Sequence, residues 1–83
     1  MADVEIYTRK MCGYCTAAKS LLSRKGASFR EFDATFDAGL RQEMMRKSGR
    51  TTFPQIFIGD AHISGWRKLE PMIESGEIDR LLG

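Results

Sequence analysis

Metal-ligating side chains are scarce in this chain, whose 83 residues include two cysteines and one histidine. A structural zinc site takes four ligands, mostly Cys and His, so Cys12, Cys15 and His62 do not close a mononuclear site within one chain and no metal ligand set is expected. No run of about 18 apolar residues occurs, which excludes a membrane-spanning helix. Met1-Ala2-Asp3-Val4 has neither the basic flank nor the apolar stretch of a secretory signal, and a cytoplasmic protein is expected. Charge of one sign is missing too: 13 Lys and Arg stand against 11 Asp and Glu, a net of +2, too mild to argue for nucleic acid. There is no internal repeat and no low-complexity linker. At this length a chain buries only about 60% of the surface it exposes when unfolded, so a single domain over 1–83 is expected. The 42% hydrophobic and 29% charged residues are those of an ordinary globular protein.

What is present is concentrated in Tyr7-Thr8-Arg9-Lys10-Met11-Cys12-Gly13-Tyr14-Cys15, which holds both cysteines. Residues at i and i+3 of a helix lie about 5 to 6 Å apart, inside the window of about 4.4 to 6.8 Å that a disulfide accepts. The pair can therefore bond or separate with little backbone movement. Val4, Ile6 and Tyr7 before it read as a strand and Ala17 to Lys25 after it as a helix, which puts Cys12 at or near the helix N-cap.

That position matters because the thiolate is the nucleophile, and a free thiol is only about 3% ionised at pH 7. A helix N-terminus stabilises an anion by up to about 2 kcal/mol, and about 1.36 kcal/mol moves a pKa by one unit. Arg9 and Lys10 add to the effect. Cys15, a turn deeper, is expected to keep a higher pKa and act second, as the resolving thiol. A structural disulfide is a poor alternative, since closing so short a loop removes little entropy from the unfolded chain. Thiol redox chemistry is the function this spacing and context predict.

Along the rest of the chain, Ala18, Leu21 and Leu22 recur at helical spacing and Gly26 supplies a stop. A second strand is expected over Ser28 to Phe32. A second helix, capped by Asp37, should carry Leu40, Met44 and Met45 inward and end at Ser48-Gly49. Pro54 to Ile58, Gly59-Asp60 and Ala61 to Ile63 read as a hairpin with a type II′ turn, in which His62 is a polar strand residue. Trp66, Leu69, Met72 and Ile73 have helical spacing, but Pro71 argues for a helix that begins only near Pro71, with Ser64 to Glu70 as a lead-in. Ile78, Leu81 and Leu82 suggest a short last turn. The order β-α-β-α-β-β-α implies an α/β fold with a mixed four-stranded sheet, whose first two strands are parallel.

These residues resemble the glutaredoxin family, small bacterial members above all, and the thioredoxin fold. The resemblance rests on Val4-Glu5-Ile6-Tyr7-Thr8-Arg9, on Cys12-Gly13-Tyr14-Cys15, on Ser48 to Ile58 and on the Gly65 region. It implies a thiol–disulfide oxidoreductase that reduces protein disulfides and glutathione mixed disulfides through Cys12 and Cys15, with glutathione as reductant. It implies further that Pro54 is cis, that backbone groups of Phe53 pair with glutathione, that Arg9 and Arg41 reach its glycyl carboxylate, that Tyr14 flanks the thiol and that Thr52 lines the groove. Gly65, Trp66 and Arg67 complete the expected glutathione site. Implied partners are glutathione and disulfide-containing proteins, with neither nucleic acid nor a membrane, and the protein is expected as a monomer.

Two departures from the family pattern keep alternatives open. Gly13 stands where proline is commoner, and relatives with Gly or Ser there include carriers of a glutathione-bridged [2Fe-2S] cluster held by the first cysteine of two protomers. Ser64-Gly65-Trp66-Arg67-Lys68 stands where two Gly, a small residue and two Asp are usual. It is similar to a segment of the redoxins that serve ribonucleotide reductase and draw electrons from thioredoxin reductase. Loss of a carboxylate partner for the glutathione ammonium is expected to cost about 1.5 to 3 kcal/mol.

Overall fold

A computed structural model describes residues 2–83. The elements run β1 (Val4–Thr8), α1 (Gly13–Arg24), β2 (Arg30–Asp33), α2 (Ala38–Ser48), β3 (Gln55–Ile58), β4 (Ala61–Ser64), α3 (Trp66–Glu74) and α4 (Glu77–Leu82). The strands form one sheet in the order β2-β1-β3-β4. β1 pairs parallel to β2 and antiparallel to β3, which turns back antiparallel into β4. This is the mixed four-stranded sheet expected from the element order.

Alternation along the strands divides the sheet into two faces. Val4, Ile6, Ile56, Ile58 and Ile63 form one core with Ala18, Leu21 and Leu22 of α1, Leu69 of α3 and Ile78 of α4. The side chains between them carry the other face. There Tyr7 is fully buried, stacked on Phe32 at 5.1 Å and edge-on to Phe57 at 6.0 Å. Its hydroxyl donates to Glu43 of α2, and Lys47 Nζ, 2.8 Å from Glu5, lies 4.5 Å from the Phe57 ring centroid. α2 therefore docks largely through polar and cation–π contacts, whereas α1 and α3 dock through aliphatic side chains.

The local punctuation follows the sequence. Gly26, at φ 75°, ends α1 in a Schellman arrangement: Gly26 N–H donates to Ser23 O and Ala27 N–H to Leu22 O, both at 3.0 Å. Asp37 caps α2 through a 3.0 Å bond from Leu40 N–H. In the hairpin Gly59 has φ 57° and Asp60 is not left-handed. That sign pattern is the one type II′ requires and type I′ does not.

Four expectations need correction. α3 starts at Trp66, with Pro71 inside it, and not near Pro71. A proline in a helix interior costs roughly 3 kcal/mol. Burying a large apolar side chain returns about 1.5 to 3 kcal/mol, and α3 buries Leu69 fully and packs Trp66, Met72 and Ile73 against the core. Pro71 itself faces solvent. β2 is displaced to Arg30–Asp33, because the parallel register sets Glu5 to Thr8 against Arg30 to Asp33. Met45 is exposed while Met44 is buried; α2 turns only a narrow stripe inward. The hairpin strands are Gln55–Ile58 and Ala61–Ser64, so Pro54 precedes the ladder and Ser64 closes it.

Candidate active site

The chain leaves β1 at Thr8 and reaches Cys12 through Arg9, Lys10 and Met11. Met11 has φ 58° and is 96% exposed. Cys12, in extended conformation, is the N-cap of α1, and its Sγ accepts the Cys15 N–H at 3.2 Å. Cys12 is half-buried and Cys15 is 1% exposed. Both are free thiols. Burial pushes the Cys15 thiol up to about 12, aided by its hydrogen bond to Cys12 and opposed by the Arg9 backbone N–H. An accessible sulfur that receives an amide hydrogen thus lies next to a shielded one that holds its proton. This division of roles is the one expected for an attacking and a resolving thiol.

A layered brace holds the loop before Cys12. Ala34 N–H donates to Thr8 O at 2.8 Å and Lys10 N–H to Thr35 Oγ1 at 2.7 Å. Arg41 donates to Ala34 O and Thr35 O, both at 2.9 Å, and Arg9 donates to Lys10 O and Met11 O. Both arginines expected to meet a carboxylate are therefore engaged with loop carbonyls. Neither arginine is among the residues that line the cleft described next, and Arg41 is held at the 34–35 loop.

A cleft of about 680 Å³ opens beside the cysteine motif at Tyr14. It brings together Tyr14, Thr52, Phe53, Gly65, Trp66 and Arg67, six of the nine residues expected to contact glutathione. Pro54 is buried beneath it; its peptide with Phe53 is cis, as the resemblance implies, and its carbonyl accepts Gly65 N–H at 2.9 Å. Tyr14 and Trp66 lie parallel, 2° apart, with centroids at 6.2 Å. Gly65, at φ 80°, is the N-cap of α3 and offers no side-chain cap. Arg67 and Lys68 follow in the first turn with no acidic residue there. Cations at that end oppose the helix dipole at a cost of about 0.3–1 kcal/mol each.

The cleft also includes Ser48, Arg50 and His62, to which sequence reasoning gave no place in it, together with Ser64 and Lys68 of the segment that departs from the family pattern. His62 is joined to the loop of Thr52 through the fully buried Gln55. Gln55 Oε1 pairs with His62 Nε2 at 2.7 Å, while its Nε2 donates to Thr52 O at 2.9 Å and to Thr52 Oγ1 at 3.2 Å. Burial, with the charge of Arg50 adding to it, lowers the His62 pKa. The signal for this chain was the alternation that places Gln55 and His62 on one sheet face; nothing local ties either to Arg50.

Comparison with known proteins agrees with this geometry. The glutaredoxin family model matches residues 4–63. Glutaredoxin 3 of Escherichia coli K12 is 51% identical over 99% of both chains. A glutaredoxin from Brucella melitensis, solved in solution, is 54% identical, covers 99% of this chain and 89% of its own, and superposes with a TM-score of 0.84. A buckwheat glutaredoxin crystallised with glutathione shares 23% identity, covers 98% of this chain and 76% of its own, and has a TM-score of 0.85, a likeness in fold. With the thioredoxin-type sheet, the cysteine pair at a helix start and these relatives in hand, the chain belongs to the glutaredoxin family and is a glutathione-dependent thiol–disulfide oxidoreductase.

Proposed function

We propose that Cys12 is the nucleophile and Cys15 the resolving thiol. The observation that carries this reading is the 3.2 Å bond from Cys15 N–H to Cys12 Sγ, made while the Cys15 side chain is buried. The Cys12 thiolate attacks one sulfur of a disulfide; the S–S bond breaks, the other sulfur leaves as a thiolate, and a mixed disulfide with Cys12 forms. From a glutathione mixed disulfide, Cys12 takes the glutathione sulfur, and a second glutathione thiolate then displaces Cys12 and yields oxidised glutathione. From a protein disulfide, Cys15 loses its proton and attacks Cys12 Sγ, which closes the Cys12–Cys15 disulfide and releases the second substrate thiolate. Two glutathiones then restore the dithiol. Once Cys12 is in a mixed disulfide it carries no charge, which removes one of the influences that hold the Cys15 proton.

In this reading glutathione lies along the cleft, with Phe53 and Thr52 presenting backbone groups, Tyr14 beside the sulfur, and Gly65, Trp66 and Arg67 at the far end. Arg9 takes the glycyl carboxylate, since five guanidinium donors leave some free after its two carbonyl bonds. Arg41 is a positioning residue that steadies the loop beneath. Protein disulfides are the second substrate class, and the Ser64-Gly65-Trp66-Arg67 segment supports including ribonucleotide reductase among them. The working unit is a monomer of one glutaredoxin-like domain, 1–83, in a reducing cytoplasm. Among the described residues no helix is long and apolar enough to cross a membrane.

The alternative, a [2Fe-2S] cluster held by Cys12 of two protomers and two glutathiones, takes one thiol from each chain and is not favoured over the redox reading. Cys12 is the sole accessible thiol, and among the described residues no group of three or more His, Cys, Asp and Glu side chains gathers for a metal. The test of the main reading is a pair of variants assayed on two substrates. Cys12→Ser loses all activity, whereas Cys15→Ser retains reduction of glutathione mixed disulfides and loses reduction of protein disulfides. Retention of protein-disulfide reduction by Cys15→Ser would overturn the assignment of Cys15.

A further inference from the structure

The positive charge of this protein is unevenly spent. Among the described residues, the ion pairs engage Lys19, Lys25, Arg30 and Lys47, none of which lines the cleft. Arg50, Arg67 and Lys68 do line it, are exposed, and join none of these pairs. No Asp or Glu lines the cleft, although the chain holds 11 of them. Three unpaired cations in one cleft exceed the net charge of +2 of the whole chain. They come from the segment after α2 and from the first turn of α3, so they converge only in the folded protein.

Next to these cations the cleft wall is apolar. Trp66 faces the cationic cleft and also, with Gly13, Tyr14 and Ala17, a second and more open depression beside the cysteine motif. A polypeptide held at Cys12 therefore meets an aromatic shelf first and a cluster of unneutralised cations beyond it.

We propose that this cleft docks an acidic stretch flanking the disulfide of a protein substrate, with carboxylates on Arg50, Arg67 and Lys68 and the adjoining chain on the Tyr14–Trp66 shelf. The inference rests on the reading of Cys12 as nucleophile and names the substrate class for that site. Charge complementarity selects the occupant: a basic segment brought to the same place would set like charges together, whereas carboxylates of the substrate meet the cations before glutathione takes the cleft in the resolving step. Opposed potentials raise the rate of encounter and suppress the wrong partner, and salt screens the effect when the groups are exposed.

Trp66 is the single tryptophan, so its fluorescence reports docking directly. Two peptides of equal length and cysteine position, one with glutamates and one with lysines around the cysteine, are titrated into the Cys12→Ser protein, which forms no mixed disulfide. The glutamate peptide is expected to bind about tenfold more tightly at low salt, with the advantage fading as salt is added. Arg50→Glu combined with Lys68→Glu should reverse the preference. Equal binding of the two peptides, or a preference untouched by the reversal, overturns the docking surface. The same peptides as mixed disulfides with a small thiol are then given to the native protein with glutathione, and the acidic one should turn over about tenfold more efficiently. If neither is reduced while the binding preference and its reversal stand, the docking surface is supported and the assignment of Cys12 fails; if both are reduced at equal rates, the redox reading stands and the docking surface falls.

Discussion

The backbone N–H of Cys15 donates to the Sγ of Cys12 across 3.2 Å, so the buried cysteine orients the accessible one without using its own side chain. The contact belongs to the first turn of α1 and survives any substitution at residue 15 that keeps the helix.

One consequence is a difference in reactivity within the pair. In the reduced native protein iodoacetamide should modify Cys12 and leave Cys15, which is 1% exposed and holds its proton. Cys15 should become reactive only on unfolding, and Cys12 should still be modified in Cys15→Ser. Peptide mapping after timed labelling checks this; label on Cys15 in the native state would contradict the burial argument.

The Gln55 side chain is fully buried and joins His62 to Thr52. Gln55→Leu keeps the volume approximately and removes both connections. Each hydrogen bond lost contributes about 0.5–1.5 kcal/mol, and with Thr52 exposed and His62 half-buried water replaces part of it, so a loss of about 1–2 kcal/mol is expected in urea unfolding. A variant as stable as the parent would mean that the loop at Thr52 is held by other contacts.

Glu5 gives the acid limb of stability a specific contributor. The hydrogen bond from Lys47 is the main influence holding its carboxyl below the ordinary range, burial opposes it, and the charges of Lys47 and Arg30 add to the lowering. With the folded value below the unfolded one, the stabilisation is complete above the unfolded pKa of about 4.3 and is lost as pH falls through the folded value. The difference in stability between the parent and Glu5→Gln should therefore be flat from about pH 5 to 7 and shrink below about pH 4. Chemical denaturation at a series of pH values measures it, and a difference that grew on acidification would reverse the sign of this argument.

Ile56 lies fully buried at the centre of the sheet, opposite Ile6 on one side and Ile63 on the other. Ile56→Ala should cost about 2–5 kcal/mol, a large part of the stability of so small a domain. Thermal and urea unfolding should both register the loss. A cost under about 1 kcal/mol would show that the two flanking strands close over the gap.

Much of this molecule was legible from local rules. The i, i+3 cysteines, the strand before them and the helix after them put Cys12 at the N-cap because each of those signals lies within a few residues of the others. Gly26, Asp37 and Gly59 ended and began elements for equally local reasons, the left-handed φ and the short polar cap. The parallel pairing of β1 with β2 followed from a helix between two strands. The pattern broke down at Pro71, where propensity argued for a late start to α3 and the burial of Leu69 with its neighbours overrode it.

The sequence by itself determined the cysteine pair, the order of the four strands and first three helices, and the sheet, since short-range geometry and the period of apolar residues encode all three. The tertiary structure alone decided where the long polar side chains end. Arg9 and Arg41, both matched to a carboxylate by the family pattern, also reach the carbonyls of Lys10 and Met11 and of Ala34 and Thr35, contacts that no motif announced. Arg50, to which the family pattern gave no role, enters the cleft with Arg67 and Lys68. A guanidinium on a flexible stem takes whichever acceptors the packed chain brings within reach, and that choice depends on elements far apart in sequence.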